Sequence, residues 1–242
     1  MTLLVPGLSS IAQTGFEQDI FPTGKGNLTI TFIGHASLMF QWNGMNIYVD
    51  PVMREADFTK FPKADLIILT HHHGDHTDQK AIEALLTEKT HLILTSTCSE
   101  NLISMKLPGK TILKEWESTT FRTLACEAVP AYNIQHKRIN GEPYHPKGIG
   151  TGYVLSFNAF KTLIGGDTEN IPEYGKLAGY DIDAAFLPMN LPYTMTPEMV
   201  VSAAKMIRPK ILYPYHYGDT DTGELMKLMK EMDGIEVRIR RM

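Results

Sequence analysis

Two cysteines, Cys98 and Cys126, are all the thiol chemistry this chain carries, and no CxxC spacing gives either a partner. That excludes a disulfide framework and a thiolate metal site, and leaves both as small apolar residues expected in the core. No apolar run comes near the roughly 20 residues that a membrane-spanning helix needs, so no integral membrane segment is expected. A basic excess is missing too: 23 Lys and Arg stand against 27 Asp and Glu, for a formal net charge of -4, and the cations are scattered. No nucleic-acid partner is therefore expected, because it would ask for a concentrated positive face. The one basic cluster, Arg238, Arg240 and Arg241, reads as the solvated face of an edge strand. Low-complexity linkers and fixed-period repeats are also absent, so nothing divides the chain into modules.

What is present is an ordinary globular balance, 43% hydrophobic and 21% charged over 242 residues, enough to bury a substantial core. One domain over residues 27–242 is the expectation, with residues 1–26 as an N-terminal tail. Within that tail Leu3-Leu4-Val5 followed by Ser9-Ser10-Ile11-Ala12 resembles the remnant of an export signal, although the basic region of such a signal is missing. On that ground a cytoplasmic location is preferred to an exported, periplasmic one. Association into homo-oligomers is left open.

Residues 28–32 alternate as a half-buried strand does, 37–42 follow a Gly-His turn, and 46–49 continue beyond Asn43-Gly44, together a meander of antiparallel strands. Residues 64–70 are almost continuously apolar, which suits a strand buried on both faces. A helix is expected over 78–88, with Asp78 as N-cap and Ile82, Leu85 and Leu86 on one face. A strand over 91–95, a helix over 97–105, and β-rich stretches at 111–116 and 121–129 come next. The polar loop 132–150 is too long for a plain connection and is a candidate binding loop. Strands at 153–157, 162–164, 184–188 and 211–215 and helices at 197–207 and 222–232 complete the chain. Helices outside two central sheets satisfy this pattern, in which the two halves look like counterparts.

The decisive segment is Thr70-His71-His72-His73-Gly74-Asp75-His76-Thr77-Asp78, with four histidines and two aspartates in nine residues. Packing does not require that density, and His is the commonest protein metal ligand. Where the strand ends near Thr70, alternate residues share a face, so His71 and His73 point one way and His72 the other. Gly74 relaxes the turn, and Asp75 and His76 then address a second position close by. One strand end can thus feed two metal ions, with nitrogen and carboxylate donors appropriate to zinc. Asp167, after the strand at 162–164, stands where a carboxylate could bridge both ions, although by itself it reads as a turn or capping residue. His216 follows the strand at 211–215 in the same manner.

His71-His72-His73-Gly74-Asp75-His76 matches the HxHxDH signature of the metallo-β-lactamase superfamily, and Gly166-Asp167-Thr168 and His216 match its later metal-binding positions in order. With Gly34-His35, Asp50-Pro51, the stretch 129–133 and Pro214-Tyr215-His216-Tyr217-Gly218, the chain resembles the branch containing ascorbate-phosphate lactonase and N-acyl phosphatidylethanolamine phospholipase D. The resemblance spans roughly residues 28 to 220. It implies an α/β fold, the four-layer αβ/βα sandwich, with the site at one edge of the two sheets. It also implies that His71 and His73 hold metal one, that Asp75, His76 and His216 hold metal two, and that Asp167 bridges them.

One departure stands out. The remaining histidine of metal one usually follows the Val-Pro-Ala strand end closely, but here that place reads Ala131-Tyr132-Asn133. His136 and His145 in the following loop are the replacements, and His145 is preferred because 145–152 look like a constrained return to the site. His35 and Asp50 are expected to support the ligands from behind, and Tyr193, Met195 and Thr196 to border the pocket or simply to start a helix with Thr196 as N-cap.

The expected activity is metal-dependent hydrolysis of an ester-like bond in a small molecule, with two zinc ions, or manganese or iron in their place, activating a hydroxide. Asp75 and Asp167 are the candidates for moving the proton to the leaving group. RNA-processing nucleases of this fold carry a large insertion that 242 residues cannot hold. The diiron oxygen-reducing relatives have a Glu within the signature where His73 stands, and antibiotic-hydrolysing enzymes lack the bridging Asp. A lactonase and a phosphodiesterase remain. The reading from a different class is a non-catalytic metal-binding or ligand-sensing protein of the same fold.

Overall fold

The computed structural model describes residues 15–230 and 232–242, so the export-signal reading of residues 1–13 lies outside what it describes. The alternation read from the sequence is realised as an antiparallel meander, β1 (Glu17–Pro22), β2 (Asn27–Gly34), β3 (Ser37–Trp42) and β4 (Met45–Val49). Parallel strands β5 (Leu66–Ile68), β6 (His91–Leu94) and β7 (Lys110–Ile112) extend it into a sheet ordered as in the sequence. The second sheet repeats the plan. Strands β8 (Ser118–Phe121), β9 (Leu124–Ala131), β10 (Gly150–Phe157) and β11 (Phe160–Ile164) run antiparallel, and β12 (Ala184–Pro188), β13 (Ile211–Tyr215) and β14 (Glu236–Val237) join in parallel. Parallel pairing needs crossovers, and α1 (Gln79–Leu85), α2 (Ser96–Asn101), α3 (Pro197–Ile207) and α4 (Thr222–Met229) lie in them or at their ends.

Strand periodicity explains the layers. In β3, Leu38, Phe40 and Trp42 meet Phe157 and Phe186 of the other sheet, while Met39 between them turns to the helices. In β13, Ile211, Tyr213 and Tyr215 face inward and Leu212 faces outward. One apolar cluster therefore lies between the sheets, a second beneath α1 and α2, and a third beneath α3 and α4. This is the four-layer αβ/βα sandwich of the metallo-β-lactamase fold.

The helix starts fall where the cap residues placed them. Asp78 accepts from Lys80 N–H and Thr196 from Met199 N–H, with Pro197 in the first turn. α3 keeps its expected bounds, and the other three helices are shorter than their apolar patterns suggest: α1 stops at Leu85, α2 covers Ser96–Asn101 and α4 stops at Met229. Residues Glu17–Pro22, left in the N-terminal tail by the sequence reading, pair with β2. The basic cluster differs from its expectation. Arg238 and Arg240 reach Asp19 of β1, and their guanidinium groups lie over Phe21, Phe32 and Tyr213. Those cations cross-link the two sheets at one edge rather than simply facing water. Both cysteines are buried and free, as expected. Among the described residues, no helix is long and apolar enough to cross a membrane.

Candidate metal centre

Thr70 leaves β5 tied to Asp50 at the end of β4: Asp50 accepts from Thr70 N–H at 2.8 Å and from Thr70 Oγ1–H at 2.6 Å. The same Asp50 meets His76 Nδ1 at 2.8 Å, so Nε2 of that ring is directed away from it. His71 to His76 curl over the strand ends as a tight turn, with His76 and Thr77 N–H both bonding His73 O. From the other sheet, Gly166 carries Asp167 in over Thr70. A Cβ on Gly166 would meet Thr151 O at 2.9 Å, and its φ of +65° suits glycine, so this residue gives the approach its room.

Two groups of donors result. His71, His73 and His145 offer nitrogens within 4.8 Å of one another, and so do His35, Asp75, His76 and His216 with their nitrogens and carboxylate oxygen. His71 Nε2 and His73 Nδ1 are 3.1 Å apart. Asp167 stands between the groups: Oδ2 is 3.1 Å from His145 Nε2 and 3.8 Å from His71 Nε2, while Oδ1 is 3.3 Å from His76 Nε2 and 3.5 Å from His216 Nε2. His76 Nε2, His216 Nε2 and Asp167 Oδ1 are buried without a hydrogen-bond partner. Converging orphaned donors of this kind are costly unless a cation answers them, so the residues fit a metal centre.

The electrostatics agree. Burial, reinforced by neighbouring imidazoles, pulls His71 well below its usual range and His73 down to about 4. Burial and His76 likewise hold His216 at about 4 against the pull of Asp167. These rings are neutral near pH 7, the state that ligates a metal. Burial works to raise Asp167 and Asp75, yet the surrounding imidazoles win and hold both carboxyls well below the usual range. His76, wedged between Asp50 and Asp167, is raised despite its burial.

Each residue singled out from the sequence has a definite place. His35 Nε2 is 3.1 Å from Asp75 Oδ2, and its carbonyl accepts from His216 N–H at 2.9 Å, which joins the ends of both sheets. His35, Asp50 and His216 all take left-handed backbone, with φ of 53°, 43° and 48°. Strain at non-glycine residues gathers at such sites. His145 joins the His71 group, whereas the ring of His136 turns to Glu169, with Nδ1 at 2.8 Å from Oε1. His72 lies on the rim of the small pocket beside His71, His73 and His145. Tyr193 packs edge-on against Tyr144, and only its carbonyl reaches toward the centre, through Asn133. Thr70, Asn133 and Glu169 were missed. The adjacency of Glu169 to Gly166-Asp167-Thr168 is the sequence signal that could have drawn attention to it.

Comparison with known proteins bears on the fold and the family. A family model for the beta-lactamase superfamily domain matches residues 29–216. A UPF0173 metal-dependent hydrolase of Ligilactobacillus salivarius is 30% identical over 229 residues, covering 85% of this chain and 98% of that one. The crystal structure of a protein of Parabacteroides distasonis classed with the metal-dependent hydrolases superimposes with a TM-score of 0.86 at 48% identity, covering 94% of this chain and 99% of that chain. A metallo hydrolase of the archaeon Ignicoccus hospitalis shares the fold, with a TM-score of 0.73 at 21% identity, covering 88% and 95% of the two chains. The chain is a metal-dependent hydrolase of the metallo-β-lactamase superfamily and belongs to its UPF0173 family.

Proposed function

We propose that this chain hydrolyses a lactone or phosphodiester of a small molecule at a two-metal centre, with zinc as the resident ion and manganese or iron as the alternatives. The observation that carries the reading is Asp167, which turns one carboxylate oxygen to each group of imidazoles. His71, His73 and His145 would hold one ion, Asp75, His76 and His216 the other, and Asp167 both. Ions so held would supply a water acidified toward neutral pH and positive charge for the oxyanion that develops on attack.

The two carboxylates are not equivalent in what they can do with a proton. The Asp167 side chain is only 4% exposed and is ringed by His71, His76, His145 and His216. The Asp75 side chain is 38% exposed, so of the two it is the carboxylate that could take up the proton of the attacking water and hand it on to the departing alkoxide, with His35 holding its Oδ2 in place. The pocket beside the His71 group is lined by His72, Pro146, Ile149 and Gly150 together with the donors, without Lys or Arg. The resemblance to the branch of ascorbate-phosphate lactonase and N-acyl phosphatidylethanolamine phospholipase D supports the same pair of substrate classes.

The test is turnover of a lactone panel and a phosphodiester panel by zinc-loaded protein, with and without a chelator. Hydrolysis in one panel that chelation abolishes is the expected result. Two ions bound per chain with no turnover in either panel would sink the enzymatic reading and favour a sensor.

A further inference from the structure

The residue that stands where a direct ligand would be expected, Asn133, uses every hydrogen-bonding position of its side chain. Its Oδ1 accepts from His145 N–H at 3.0 Å and meets His145 Nδ1 at 2.6 Å, and its Nδ2 donates to Glu169 Oε1 at 3.0 Å and to Tyr193 O at 2.9 Å. The orientation of the amide is not a free choice. A backbone N–H can only donate and a backbone carbonyl can only accept, so the atom facing His145 N is oxygen and the atom facing Tyr193 O is nitrogen. Because that oxygen cannot donate, His145 Nδ1 must carry the hydrogen of the 2.6 Å contact. In the neutral ring the lone pair is then on Nε2, the atom 3.1 Å from Asp167 Oδ2.

Glu169 stands behind this arrangement. It is 1% exposed and also accepts from Ile134, Gln135 and His136 N–H at 2.8, 2.7 and 2.6 Å, three successive amides at the start of the loop that carries His145. Burial works to raise its carboxyl, but these amides and Asn133 hold it below the usual glutamate range.

We propose that Asn133 is a positioning residue that sets the tautomer and the orientation of His145 toward the metal centre, and that Glu169 in turn sets Asn133. This rests on the two-ion reading above. It explains why a ligand on a mobile kind of element, a long loop, can sit as closely placed as ligands on strand ends: a relay of four hydrogen bonds at one amide replaces the strand.

The experiment is zinc titration of the full chain against a chromophoric chelator, combined with long-range proton–nitrogen spectra of the histidine rings. In the wild type two ions bind and His145 carries its proton on Nδ1. Asn133→Leu, of similar volume, weakens one ion about 10- to 100-fold and leaves the other unchanged. Asn133→Asp sets a carboxylate oxygen against Glu169 Oε1 and the Tyr193 carbonyl, both of which Nδ2 now serves, and weakens the same ion. Unchanged affinities in Asn133→Leu and Asn133→Asp, or an Nε2-protonated His145 in the wild type, would each overturn the proposal. A wild-type chain with Nδ1–H on His145 and a single ion would remove the two-ion reading and leave the positioning role supported. Should Asn133→Leu fail to fold, Asn133→Asp and the wild-type ring spectra decide the matter alone.

Discussion

The group around His76 is assembled from strand ends, and the group around His71 borrows a member from a loop. His216 follows β13 directly, His35 sits in the turn between β2 and β3, and Asp50 follows β4, with a backbone bond from His216 to His35 closing one sheet end onto the other. Anything that holds the sandwich together holds these donors. His145 instead arrives on the stretch between β9 and β10, whose amides are gathered on Glu169. That difference teaches where the centre can be weakened without unfolding the protein: the His71 group has a local anchor, and the His76 group has the whole fold as its anchor.

The most severe way to break the comparison is to remove the carboxylate that the two groups share. Asp167→Asn keeps the volume and takes away the negative charge facing four imidazoles, so both ions are expected to weaken. The loss of several kcal/mol of electrostatic stabilisation corresponds to about a thousandfold or more in kcat/KM. Metal analysis and hydrolysis measured on the same sample check it, and loss of one ion alone would show that Asp167 serves a single group. Next in size is the pair His145→Ala and His136→Ala. The first is expected to reduce the ions bound from two to one, because its Nε2 is the loop's contribution to the His71 group. The second is expected to retain both, since that ring faces Glu169. The reverse outcome would exchange the roles of the two histidines and make the loop anchor part of the centre.

Which of these features could be read beforehand follows from how local their causes are. Strands β12 and β13 fall on the bounds expected from the sequence, because burial on both faces writes itself into five consecutive residues. The caps Asp78 and Thr196 were equally legible, since a cap is decided within three residues. The histidine turn announced a metal site through its density alone. Glu169, Asn133 and Thr70 did not announce themselves, because their roles arise from partners 34, 12 and 20 positions away that only the folded chain brings near. The basic C-terminus was misread for the same reason: Asp19 lies more than 200 residues from Arg240, and no local pattern predicts their meeting.

That contact supplies the mildest test of the comparison. Asp19 on β1 accepts from Tyr213 Oη on β13, from Arg240 Nη2 at 2.7 and 2.9 Å, and from Arg238 Nη1 at 3.3 Å. It thus ties the strand that leads to His216 across to the first sheet. Asp19→Asn is expected to cost about 1.5–3 kcal/mol, the range for hydrogen bonds to a charged group, and to lower Tm by several degrees. Burial works to raise the Asp19 carboxyl, but Tyr213 and Arg240 outweigh it and hold it below its ordinary 3.8. A carboxyl depressed in the folded state stabilises the fold fully above its unfolded pKa and ceases to do so as pH falls through its folded value. The stability gap between wild type and variant should therefore be constant near neutrality and close below about pH 4, which thermal unfolding across that range would measure. Both ions should stay bound at room temperature, because β13 keeps its neighbours β12 and β14. An ion lost from the His76 group in this variant would mean that its donors depend on one inter-sheet tie, and the contrast between a locally anchored group and a fold-anchored one would fail.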